Sequence, residues 1–272
     1  MKRESTNSIL MIPYGLWLAL FVLAPLLLLV YQSFLNLNGD FTFENILTYF
    51  TSATYLSMTV QSFIFAGLIT LVTLLISYPA AYVLTRTEHK ELWRMLLLLP
   101  TWINILLKAY AFIGILSQSG IVNQFLEAIG IGSQQILFTN FSFLLVAAYV
   151  ELPFMMLPIL NAIDDIDNSL IKASHDLGAN SWETLRQVIF PLSMNGIRSG
   201  VQAVFIPSLS LFMLTRLIGG NRVITLGTAI EQHFLVTQNW GMGSTIGIVL
   251  VVLMFIVMAL TNNPQARKRG GK

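Results

Sequence analysis

Two ionisable side chains, Lys108 and Glu151, stand inside long apolar stretches. In nonpolar surroundings each is costly unless it has a partner or a task. Glu151 lies beside Pro153 and Pro158, which carry no backbone N–H and loosen the helix around it. A carboxylate there can substitute for water around a passing ammonium ion, with the ring faces of Trp102, Tyr110, Tyr149 and Phe154 offering a further surface to the cation. Equally, Glu151 and Lys108 can form a structural pair, because two charges leave water together only when each has a counter-charge. Both readings stay open. A lysine is an awkward lining for a cationic solute, which sets Lys108 against a helix neighbour or at a gate.

Other chemistry is excluded by what the chain lacks. The three histidines, His89, His175 and His233, fall in separate loops without metal-ligand spacing. There is no cysteine, hence no disulfide, thiolate nucleophile or cysteine metal site. No nucleophile–base pair and no phosphate-cradling glycine–lysine loop is visible, so no catalytic residue and no metal are expected, and ATP is not expected to bind this chain. Nothing suggests nucleic acid as a partner.

The elements that position Lys108 and Glu151 follow from composition. Of 272 residues, 55% are apolar and 10% charged, where a soluble domain carries roughly 25% charged. Uncharged stretches of spanning length recur, so the solvent is a bilayer and the fold an all-α membrane protein. Hydropathy predicts about six spans, near 9–35, 58–85, 95–117, 141–163, 199–218 and 244–261. The first follows Lys2 and Arg3 but lacks a small-x-small cleavage site, and is read as a retained helix. Residues 1–272 are read as one transmembrane domain.

With six spans the basic residues segregate. Lys2, Arg3, Arg86, Lys90, Arg94, Lys172, Arg186, Arg198, Arg267, Lys268, Arg269 and Lys272 share one side, which the positive-inside rule makes cytoplasmic, with both termini. The opposite loops hold Asp40, Glu44, Glu127 and Glu231 against Arg222. Those acids either concentrate cations or meet a partner, or are simply solvated.

The longest cytoplasmic connection, 164–198, reads as helix, glycine turn, helix. Leu170, Ala173, Ser174 and Leu177 fall at helical spacing, Gly178 breaks the helix, and Asn180 with Glu183 forms a capping box for a second helix carrying Trp182, Leu185 and Ile189, with Pro191 after it. Such apolar faces either lie on the membrane interface or dock a partner. Periodicity does not choose between them.

The stretch Lys172-Ala173-Ser174-His175-Asp176-Leu177-Gly178, followed by Val188-Ile189-Phe190-Pro191, resembles the EAA loop of binding-protein-dependent ABC importer permeases. It departs at the first position, where Lys172 replaces the usual glutamate. Further stretches, Pro100 to Asn104, Lys108 to Ala111, Gly120 to Asn123, Leu152 to Pro158, Gln232 to Leu235 and Asn239-Trp240, are similar to spermidine/putrescine permeases of the PotB type, with Lys108 where arginine is usual. The resemblance implies a type I importer permease fold whose 172–178 segment and Pro191 couple to an ATPase dimer that binds ATP and Mg. It also implies a second homologous permease, an external polyamine-binding protein and a bacterial cytoplasmic membrane. The rivals are a permease of the same superfamily for another solute, and an ion-coupled secondary transporter. Against the latter stand the lack of an internal repeat and the single buried acid.

Overall fold

A computed structural model describes residues 3–220 and 222–261, with side chains from Met11 onward. Of the basic residues counted at the predicted cytoplasmic side, Lys2, Arg267, Lys268, Arg269 and Lys272 lie outside the described residues. Among the described residues the fold is helical, with one isolated bridge between Leu35 and Phe41. In chain order the helices are α1 (3–33, with a π turn at Ala19–Leu23), α2 (Glu44–Thr51), α3 (Ala53–Leu84), α4 (Lys90–Leu98), α5 (Ile105–Leu116), α6 (Ile121–Ala128) and α7 (Asn140–Asp164). They continue as α8 (Asn168–Asp176), α9 (181–192), α10 (Met194–Ser208), α11 (Phe212–Leu217), α12 (226–236) and α13 (Trp240–Thr261).

Among the described residues, five segments are long and apolar enough to cross a membrane: Met11–Ser33, Ala53–Leu84, Ile105–Ala128, Asn140–Asp164 and Trp240–Thr261. The span predicted at 199–218 is instead two helices, α10 and α11, parted at 209–211. Pro207 removes a backbone donor near the end of α10, and the Ser210 N–H turns back to the Pro207 carbonyl at 3.0 Å. The span predicted at 95–117 is also interrupted. Leu99–Trp102 tightens into a 3-10 turn at Pro100, Ile103 is extended, and Asn104 starts α5 anew by accepting a hydrogen bond from the Leu106 N–H at 2.8 Å. A hydropathy window averages over such breaks.

Two compact units divide the chain, one made of residues up to Ser57 with Ala229–Leu253, the other of Met58–Thr228 with the residues from Met254. In the larger unit α7 is the central helix, burying Phe143, Val146, Ala147, Met155, Ile159 and Leu160. In a bilayer, where burial of apolar groups gives no drive to associate, helices meet through small residues and hydroxyls. Accordingly α3 buries Ser62, Ala66, Thr70, Thr73, Ser77 and Ala81 along one face, and the Thr70 and Thr73 hydroxyls donate back to the Ala66 and Ile69 carbonyls at 2.7 and 2.8 Å. Glycines 196 and 200 let α10 close on α7, since a Cβ on Gly200 would meet the Met155 sulfur at 2.8 Å.

In the smaller unit the Asn45 amide donates to the Ser33 and Leu35 carbonyls at 3.1 and 2.8 Å, tying α2 to the end of α1. Gly241 at the start of α13 sits against the Leu35 carbonyl and Asn45, where no side chain fits. Tyr49 is buried and stacks on Tyr55 with ring centroids 5.8 Å apart.

Candidate functional site

The residues singled out from sequence fall into two places within the larger unit. In the first, Glu151 on α7 and Lys108 on α5 are both buried, 5% and 8% exposed. No ion pair within 4.0 Å joins them; those found among the described residues are Lys90–Asp164, Arg94–Glu91 and Arg94–Asp164. Pro153 and Pro158 sit inside α7, so the carbonyls of Tyr149 and Phe154 lose their helical donors. What results is a buried acidic side chain on a proline-interrupted helix that enters none of the ion pairs found among the described residues.

The aromatic residues do not surround that carboxylate. Trp102, Tyr110, Tyr149 and Phe154 are 76%, 59%, 42% and 46% exposed, on faces this chain alone leaves open. Positions 149 and 151 are two residues apart on a helix and so point to roughly opposite sides, as do 108 and 110. Tyr149 makes an edge contact with Phe112 at 5.0 Å. The cation–ring contact found among the described residues is a different one, Arg86 over Tyr82 at 4.3 Å.

The second place is the 164–198 connection. Asp167 caps α8 by accepting from the Ser169 N–H at 2.8 Å, and that bond holds its carboxyl below the usual carboxylate range. Gly178 has φ +87, a backbone conformation that side chains disfavour. The Gly178 and Ala179 N–H groups close α8 on the His175 and Ser174 carbonyls at 2.9 and 3.1 Å, a Schellman arrangement. The predicted capping box is present: Asn180 Oδ1 accepts from the Trp182 and Glu183 N–H groups, and the Glu183 carboxylate accepts from the Asn180 N–H at 2.8 Å. Ser174 and Thr184 hydroxyls bond at 2.8 Å, pinning the two helices together across the turn.

On this hairpin Lys172, Ala173, His175, Asp176 and Pro191 are exposed, and Leu177 and Trp182 present 89% and 68% of their surface. The second helix does not end before Pro191 as predicted. It runs through to Leu192 because a π turn at Leu185–Ile189 opens the backbone where the proline lacks its donor. Its inner side is anchored by buried Thr184 and Ile189.

Sequence reasoning missed Asp164, at the end of α7, which receives Lys90 at 3.3 Å and the Arg94 guanidinium, joining the start of α4 to the end of α7. The signal is in the sequence, since Asp164 follows one predicted span on the side where Lys90 and Arg94 precede another. Asn104, Asn123 and Asn239 act locally. Asn239 accepts from the Met242 N–H, and Asn123 is fully buried, bonding Ser117 and Gln134.

Long apolar helices, two of the predicted spans broken near prolines, and an exposed helix–glycine–helix connection define a multi-pass membrane protein with the fold of a type I ABC importer permease. The fold matches a chain in the crystal structure of a bacterial ABC transporter involved in the import of the acidic polysaccharide alginate, with TM-score 0.79, 19% identity, and 100% of this chain and 98% of that one covered. It also matches, with TM-score 0.82 and 19% identity over 96% and 94% of the two chains, the alginate transporter in complex with an alginate pentasaccharide-bound periplasmic protein.

Residues 51–270 match the family described as the binding-protein-dependent transport system inner membrane component, and the chain belongs to that family. It is 36% identical to the spermidine/putrescine transport system permease protein PotB of Haemophilus influenzae, covering 89% of this chain and 88% of that protein. It is 32% identical to PotB of Escherichia coli K12 over 89% and 91%. The inner membrane ABC transporter permease protein YdcU of E. coli is 26% identical over 90% and 85%.

Proposed function

We propose that the chain is one permease subunit of an ATP-driven polyamine importer, supplying half of a pathway completed by a second homologous permease. The observation that carries the substrate class is the 36% identity, over nearly the whole of both chains, to a spermidine/putrescine permease. The buried Glu151 supports it, as a carboxylate inside the bundle suits an ammonium and repels an anion. The exposed aromatic faces of Trp102, Tyr110, Tyr149 and Phe154 are open to a second permease, so the cation surface is completed between subunits rather than within one.

The hairpin from Asn168 to Leu192 is the coupling element. Leu177 and Trp182 are unfavourable in water, while the Schellman turn, the capping box and the Ser174–Thr184 bond hold them on a stiff frame. A stiff frame with an apolar tip suits a socket in an ATPase, which binds ATP and Mg in place of this chain. Lys172 offers that ATPase a positive charge. Both termini and the hairpin are cytoplasmic in this reading, and the loops holding Glu44, Glu127 and Glu231 face the binding protein.

The test is uptake by proteoliposomes holding this chain with its second permease, ATPase and binding protein. Spermidine or putrescine should enter with ATP, and this chain alone should be inert in a proton gradient. Uptake of a different solute instead would remove the polyamine reading and leave the family standing, since the alginate neighbour carries the same fold for an acidic polysaccharide. Uptake by the lone chain would remove the importer reading.

A further inference from the structure

A cavity lies wholly within the smaller unit, apart from Glu151 and Lys108. It has a volume of about 390 Å³, and Asn36, Glu44, Asn45, Thr48, Tyr55 and Asn239 are among the residues that line it. That volume falls in the roughly 300–1,000 Å³ range of small-molecule sites. No basic residue lines it.

The lining is built rather than casual. Glu44 and Thr48 stand one helical turn apart on α2 and share a face. Asn45 spends both amide hydrogens on the Ser33 and Leu35 carbonyls, which leaves its Oδ1 as an acceptor. Tyr55 is held by the stacked ring of Tyr49 and by His233, whose Nε2 lies 2.9 Å from its hydroxyl. Gly241 keeps this arrangement closed, since a Cβ there would meet the Asn45 amide nitrogen at 2.6 Å. Glu44 enters none of the ion pairs found among the described residues.

An alkylammonium group carries three N–H donors and a full charge. Its complement is a carboxylate, one or two neutral oxygen acceptors and an aromatic face. Glu44, the Asn45 and Thr48 oxygens and the Tyr55 ring are that set. The acceptors on offer are rich in oxygen and poor in N–H, which disfavours an anion.

From this juxtaposition we infer that the cavity bounded by α2, Tyr55 and the start of α13 binds a primary ammonium end of a polyamine, on the side that the proposed topology places outside. The inference rests on the polyamine reading and adds to it a reception site in which this permease holds one end of the substrate through Glu44. Glu44 is a binding residue; Asn45, tied down by α1 and by Gly241, positions the neutral acceptor.

The experiment is equilibrium binding of radiolabelled spermidine to the assembled importer in nanodiscs without its binding protein. The wild type is compared with Glu44→Gln, Glu44→Asp, Glu44→Lys and Thr48→Val, each checked for an unchanged melting temperature. Expected are binding by the wild type, about tenfold weaker binding for Glu44→Gln, as one lost charge-assisted contact gives, and none at this site for Glu44→Lys. Glu44→Asp should stay within about threefold of wild type, and Thr48→Val should fall between Asp and Gln. A wild type that binds no spermidine, or Glu44→Gln and Glu44→Lys variants that bind as the wild type does, would overturn the site. The same preparations with binding protein and ATP separate this failure from that of the substrate class. Spermidine uptake unaffected by Glu44→Lys sinks the cavity alone, whereas absence of spermidine uptake in the wild type sinks the polyamine reading itself.

Discussion

Replacing Gly196 on α10 tests the close approach of α10 to α7, on which the position of Glu151's helix depends. A Cβ at Gly196 would collide with the Ala162 Cβ and lie 2.5 Å from the Pro158 carbonyl oxygen, where ordinary contact begins at 3.4 Å, so about 0.9 Å must be found. Neither obstacle is the end of a flexible side chain, and the helices must part. A gap of roughly 0.5–1 Å forfeits a quarter to a half of the dispersion energy across a packed face, here the buried Met155, Ile159, Ile197 and Val204.

Overpacking of this kind costs about 1–3 kcal/mol, and in Gly196→Ala the better helix propensity of alanine offsets up to about 1 kcal/mol. Gly196→Val has less such compensation and should lose about 3 kcal/mol. Gly67→Ala and Gly114→Ala are the matched controls, because a Cβ at either meets nothing within 4 Å. The assay is thermal unfolding of the detergent-solubilised chain followed by tryptophan fluorescence, where 1 kcal/mol moves Tm by roughly 2–4 °C. Controls should hold or rise, Gly196→Ala should fall by a few degrees, and Gly196→Val should fall furthest. Equal shifts for Gly196→Ala and Gly67→Ala would refute the claim that α7 and α10 touch here through backbone.

Three further outcomes are expected. Gly178→Ala forces a Cβ into φ +87 at about 1–2 kcal/mol, and should reduce ATP-dependent uptake more than Gly178→Asn, which tolerates that conformation; equal uptake in both would count against the turn. Asp164→Asn removes the negative charge shared by Lys90 and Arg94. Since the groups remain partly exposed, the loss should be about 1–2 kcal/mol, and 1 M salt should narrow the difference in Tm from wild type. Burial pushes the His233 imidazole below its usual 6.5. The unfolded chain therefore takes the proton first as pH falls through 6.5, so stability should drop on acidification below that value and flatten in His233→Gln.

What could be read from sequence divides along a physical line. The 164–198 hairpin was legible because its determinants are local. Gly178 needs only the preceding turn, and Asn180 reaches Glu183 three residues on. The spans were legible as composition but not as helices. The restart at Asn104 and the parting at 209–211 depend on single capping and proline positions that a spanning-length window averages away. Pro191 misled in the opposite direction, because a proline signals a helix end unless a π turn precedes it, and Leu185–Ile189 supplies one.

The sites resisted for a different reason. Glu151 and Lys108 were visible as charges in apolar sequence, and they are the two buried acidic or basic side chains among those described. Their distance was not encoded in either stretch. Hydropathy says that a charge inside a span needs company; only the packing of α5 and α7 decides whether the company touches. Here it does not, and the two groups stop short of an ion pair. Under the proposed function, a closed pair would have to break before Glu151 could meet an ammonium group, whereas the open arrangement leaves it free to meet one. Glu151→Gln separates the two readings of this residue: full spermidine uptake by the assembled importer would set the pathway role aside, and lost assembly would mark Glu151 as structural.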